Sequence, residues 1–201
     1  TIDTDPENML EANHPARVFH NDVKHTFAMH DAIVVGVIAS PANDTATDNA
    51  ALSTNKGIYT PNNLQAIDDV TQQILNTEGV IARDVMSFST VDNITQGDDG
   101  ELKFSWMMSQ APSSQEEADY IADAIARLPM LQGSLASSSH NAAAIYVPIK
   151  DKNESFRIAE DIRAYIGANT TNETLQWHIT GLPVAEDQFG VEMFIQMAIS
   201  A

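Results

Sequence analysis

The apolar positions fall into two rhythms, one near 3.6 residues and one of short, nearly continuous runs, and together they predict an alternation of helices and strands. NHPARVFHNDVKHTFAMH predicts a first helix opened by Pro15, with Val18, Phe19, Val23 and Phe27 at helical spacing. DAIVVGVIA follows as an apolar run of the kind buried on both faces of a sheet. SPANDTATDNAALSTNKG is small and polar and reads as a long loop. A helix over 61–78 comes next: Thr60 caps it, Pro61 starts it, Leu64, Ile67, Val70, Ile74 and Leu75 form its stripe, and Gly79 closes it. VIARDVMSFSTV predicts a strand over 80–91, TQGDDGE a turn, and LKFSWMM a strand over 102–108.

The second half repeats the plan. Ser114 and Glu117 have capping-box spacing and open a helix over 114–128 that Pro129 stops. SLASSSHNAAAIYVPI predicts a hairpin or strand pair around Ser138–Asn141. A helix over 154–166 presents Phe156, Ala159, Ile162 and Ile166 and ends at Gly167. LQWHITGLPV gives the last strand, and Pro183 opens a helix over 184–201. Two strand–helix–strand units therefore stand at 31–91 and 142–181, with a strand and helix inserted at 102–130. The expected class is α+β: ferredoxin-like units, a mostly antiparallel sheet and helices packed on one face, plus terminal helices. In domain terms, 1–30 is an N-terminal segment and helix, 31–183 the αβ body, and 184–201 a terminal helix.

Charge narrows the function classes. With 28 acids against 10 bases the net charge is −18, which argues against nucleic acid and against electrostatic docking on an anionic lipid surface. Cysteine is absent, so no disulfide or thiolate chemistry exists. Catalytic patterns are missing too. His14, His20, His25 and His30 lie six, five and five residues apart, not the three or four that a helical metal site needs. The adjacent acids Asp68-Asp69 and Glu116-Glu117 do not face each other on a helix, and the serines of SLASSSH lack a nucleophile elbow. No catalytic, cofactor-binding or metal-binding residue is expected, so the chain reads as no enzyme. Phe104, Trp106, Met107 and Met108 form a soft apolar cluster whose plainest reading is core packing, and Phe88, Trp106, Met107 and Met108 are the candidates for a substrate-path lining.

The two ends raise a separate expectation. The chain begins with Thr1, not Met, and closes on MFIQMAISA, more apolar than its approach GLPVAEDQFGVE. Phe189, Met193 and Met197 share one side of that helix, and its polar side fades toward Ala201. This is the pattern of a helix passing from water into a bilayer, and both ends are expected to continue into a longer protein.

The residues resemble a known family at this point. ENMLEANHPARVFHNDVKHTFAMHDAIVVGVI, with Asp5-Pro6-Glu7, His14-Pro15 and the aspartate-led strand at Asp31, is similar to the opening of the first extracytoplasmic loop of RND-superfamily exporters of the MMPL type. GIYTPNNLQAIDDVTQQILNTEGVIARDVMSFSTVDNI resembles the family's next helix and strand, and GLPVAEDQFGVEMFIQM, with Gly181 and Pro183, the approach to its second membrane helix. The resemblance implies a periplasmic porter domain of a proton-driven inner-membrane exporter. Its partners would be the remaining membrane helices, the second periplasmic loop, an apolar small-molecule or lipid substrate and, in a homo-oligomer, further copies of the same chain. The proton-relay carboxylates of such exporters sit in membrane helices, so no coupling residue is carried over. Two other readings stay open: a periplasmic protein–protein docking or scaffold domain, and a freestanding hydrolase with separated acids.

Overall fold

The structure is a computed structural model that describes residues 9–40, 56–97, 99–170 and 174–185, with Gln188, Gln196 and Ile199. In chain order these residues form α1 (Pro15–Thr26), β1 (Ala32–Ala39), α2 (Pro61–Leu75), β2 (Asp92–Gln96), β3 (Leu102–Trp106), α3 (Gln115–Ala126), β4 (Ala142–Pro148), α4 (Ser155–Asn169) and β5 (Leu175–Thr180). The class is α+β, as expected. The predicted loop over 40–57 lies largely outside the described residues. So does most of the helix expected over 184–201: residues 182–185, Gln188, Gln196 and Ile199 are helical.

β1 is the centre of a three-stranded antiparallel sheet ordered β4–β1–β5. Its register sets Val35 opposite Ile145 on one side and Ile179 on the other. Alternation puts Ile33, Val35, Val37 and Ala39 on one face with Ala143, Ile145 and Val147 of β4, and all are buried. α2 and α4 complete that core with Leu64, Ile67, Val70 and Ile74, and with Ile158, Ala159, Ile162 and Ile166. Each large apolar side chain among them contributes about 1.5–3 kcal/mol on burial.

The helix starts follow the sequence. The Thr60 hydroxyl accepts from the Asn63 N–H at 3.2 Å, and the Ser114 hydroxyl from the Glu117 N–H at 3.2 Å. Inside the core, the Thr71 hydroxyl donates to the Ile67 carbonyl at 2.8 Å, and the Ser155 hydroxyl to the Pro183 carbonyl at 2.9 Å. These buried hydroxyls are thereby paired rather than left as a cost.

Several expectations are corrected. β1 is not buried on both faces: Val34 and Gly36 are half-buried and Ile38 is exposed, because both crossover helices pack on the same side. The strand predicted over 80–91 does not form. Val80 and Met86 make single bridges to Ile149 and Tyr146, and between them the chain makes one 3-10 turn, Ala82–Asp84. Six steps from Val80 to Met86 against three from Tyr146 to Ile149 force the chain to bulge away from β4. The α2 cap is Asn76 rather than Gly79, which lies at φ +91 in the turn beyond. α4 runs through Gly167 to Asn169. Around Ser138–Asn141 the expected pairing shrinks to one bridge, Ala136 to Ala143.

With 80–86 occupying the position beyond β4, the order β5–β1–β4–(80–86) is that of a split βαβ unit. The β2–β3 hairpin and α3 are inserted between its second and third strand positions.

Candidate docking face

An exposed apolar feature among the described residues is built by β2, an element that the sequence reading leaves unassigned between its strand over 80–91 and the turn that follows, and by β3. The two pair antiparallel as a sheet of their own, with Asp92 opposite Trp106, Ile94 opposite Phe104 and Gln96 opposite Leu102. Residues two apart share a face, so Ile94, Leu102, Phe104 and Trp106 stand side by side. They are 41%, 58%, 66% and 57% exposed. Together they show water on the order of 400 Å² of apolar surface, about the largest patch that a typical monomer carries. A lone two-stranded hairpin is marginal in water, so this one depends on its base.

The base is anchored. The Met107 N–H donates to the Val91 carbonyl at 2.9 Å, and the Gly97 N–H to the Glu101 carbonyl at 2.8 Å closes the tip. Asn93 is buried, and its Nδ2 donates to the Tyr120 hydroxyl of α3 at 3.3 Å. Arg127 lies over the Tyr120 ring, 5.8 Å from its centroid. Asn93 Oδ1 is buried with no partner among the described residues, a cost of about 1–3 kcal/mol. Asp92, Asp99 and Glu101 give the hairpin an acidic rim, with Lys103 its single base among the described residues.

The four residues proposed from sequence as a lining separate here. Phe88, Met107 and Met108 are buried members of the common core, and Phe88 stacks on Tyr59 with centroids 5.9 Å apart. Trp106 alone of the four reaches solvent. Sequence reasoning misses Leu102 and Phe104 as surface residues, because alternation in LKFSW says only that one side is apolar, not what it faces.

No cluster of three or more metal-ligating side chains occurs among the described residues. Hydrogen bonds from Ser113, its N–H first, hold the Glu117 carboxylate below its ordinary range. Lys56, 2.8 Å away, does the same for Asp119. Both acids are at the surface near the start of α3. Burial pushes the Tyr59 phenol up to about 12. The unfolded chain therefore releases this proton first as pH rises above 10, and stability declines between pH 10 and 12 by at most about 2–3 kcal/mol. Tyr59→Phe should flatten that decline in alkaline unfolding curves; an unchanged decline would assign it elsewhere.

A hollow of about 480 Å³ lies at the end of α1, lined by Asn21, Lys24, His25, Ala28, Met29 and His30. It is wide open, and its lining sets no carboxylate beside the two histidines. Among the described residues no helix is long and apolar enough to cross a membrane.

No family model matches the chain, and no curated protein matches it in sequence.

Proposed function

We propose that this chain is a periplasmic porter domain of a proton-driven RND-type exporter of the MMPL type, a non-enzymatic module that contacts an apolar or amphipathic substrate. The observation that carries the reading is the hairpin inserted in a split βαβ unit, with Leu102, Phe104 and Trp106 presented to water. The resemblance of the 7–38, 57–94 and 181–197 blocks to such a loop supports it. The partners in this reading are the membrane helices and second loop of the same inner-membrane protein.

The reading is tested by fluorescence. The chain holds two tryptophans, so Trp177→Phe leaves Trp106 as the reporter. A neutral single-chain amphiphile, added below its micelle concentration, should shift Trp106 emission to the blue and saturate. Phe104→Ser should weaken that binding roughly tenfold, the cost of one large apolar contact. No shift would overturn the substrate role of this face.

The exposed apolar side of the hairpin also favours a second reading, a protein-docking domain, since patches of this size mark protein–protein interaction sites. Trp106 emission that responds to protein concentration and ignores the amphiphile would select it.

A further inference from the structure

The apolar side of the hairpin carries a charge at one end. The Met107 N–H bonds to the Val91 carbonyl and the Gly97 N–H to the Glu101 carbonyl. Alternation from these bonded positions leaves Asp92–Trp106, Ile94–Phe104 and Gln96–Leu102 as the non-hydrogen-bonded pairs. Side chains stand closest in such pairs, with Cβ atoms about 4.5–5.5 Å apart. Asp92 is exposed, so its carboxylate flanks the Trp106 indole on the side that Ile94, Phe104 and Leu102 share. Gln96, at the far end, is neutral.

No base neutralises Asp92 among the described residues, since it takes part in none of their ion pairs. Lys103 falls on the reverse side by alternation, with its ammonium beside Gly97 at the hairpin tip. Arg127 lies over the Tyr120 ring, behind the hairpin where Asn93 is buried.

The geometry points to a cationic amphiphile as the occupant of this face. Its ammonium head sits between the Asp92 carboxylate and the Trp106 indole, and its alkyl chain lies along Phe104, Ile94 and Leu102. Charge selects the head. A carboxylate pairs with a cation, and the face of an indole attracts one through its quadrupole; each effect is modest at an exposed site, and here both have the same sign. The net charge of −18 draws cations toward the molecule and repels an anionic head. Trp106 to Leu102 spans about 13 Å of strand, a length that a dodecyl chain covers. The inference rests on the proposed reading of this face as a substrate contact and adds the charge of the substrate.

The test titrates Trp106 emission in the full 201-residue chain carrying Trp177→Phe. Salt at about 0.15 M screens the long-range field within about 8 Å. The probes are dodecyltrimethylammonium and neutral dodecyl maltoside, each below its micelle concentration. The cation should bind about fivefold to tenfold tighter. Asp92→Asn should cancel that ratio while leaving the maltoside affinity and the melting curve unchanged, as usual for an exposed position. Glu101→Gln removes an equal charge from the reverse side and should keep the ratio. Equal binding of the two probes, a preference that survives Asp92→Asn, or one that Glu101→Gln abolishes as fully would each overturn the inference and leave the substrate contact standing. No emission shift with either probe would overturn both.

Discussion

Gly57→Ala is expected to destabilise the protein by about 3 kcal/mol or more, the size of effect tied to backbone strain in a packed site. Gly57 sits at φ +55, where alanine costs about 1 kcal/mol by itself. The larger cost is contact: a Cβ there would lie 1.9 Å from the His140 carbonyl oxygen and 3.2 Å from the Asn141 Cα. Neither is the end of a flexible side chain. The His140 carbonyl also accepts the Ile58 N–H at 2.8 Å, and the Gly57 carbonyl accepts from Asn63 Nδ2 at 2.8 Å. His140 itself is at φ +61. The two loops thus fix each other, and neither moves without breaking a hydrogen bond. Gly167→Ala is the control, since nothing lies within 4 Å of its added Cβ and it stands inside α4. Urea unfolding should show that variant unchanged or up to about 1 kcal/mol more stable. A Gly57→Ala loss below about 1 kcal/mol would refute the contact.

Phe88→Ala separates packing from function. Phe88 is 1% exposed, stacked at 22° on Tyr59, whose ring meets His140 edge-on at 5.1 Å. Removing it leaves a cavity beside the Gly57 junction, and the expected loss is about 3–5 kcal/mol. Amphiphile binding at Trp106, measured below the melting transition, should persist. Trp106→Ala should do the opposite: stability changes by under about 1 kcal/mol, as usual for exposed positions, while the apolar contact goes. A Phe88→Ala protein of full stability that no longer binds amphiphile would return Phe88 to the lining role.

The elements that the sequence predicts well are those where local chemistry and packing agree. In α2, a Thr60 cap, Pro61 and a stripe from Leu64 to Ile74 all point the same way, and the helix begins where they say. In 80–91 they conflict. Val80, Val85 and Phe88 are buried, but their spacing of five and three suits neither a strand nor a long helix. The hydroxyls of Ser87 and Thr90 take the local backbone instead: the Ser87 N–H donates to Thr90 Oγ1 at 2.8 Å, and that hydroxyl donates to the Val85 carbonyl at 2.7 Å. Such bonds compete with a ladder. The hairpin carries a usable signal, a Gly- and Asp-rich turn between Ile94 and Leu102. What no pattern discloses is whether an apolar side meets the core or water. Phe19, Phe27, Phe104 and Trp106 are written like core residues and are not in it.

The bulge at 80–86 also bears on how the sheet meets other chains. A β4 edge left bare would be a row of open donors and acceptors, the usual starting point for edge-to-edge aggregation. Here the Met86 N–H and carbonyl both engage Tyr146, and the Ile81 N–H takes the Pro148 carbonyl at 2.9 Å. Arg83 and Asp84 project outward between these anchors. An incoming strand therefore finds the edge capped at intervals and a charged kink in its way, so an irregular segment protects the sheet where a well-formed outer strand would only have moved the sticky edge one place further out.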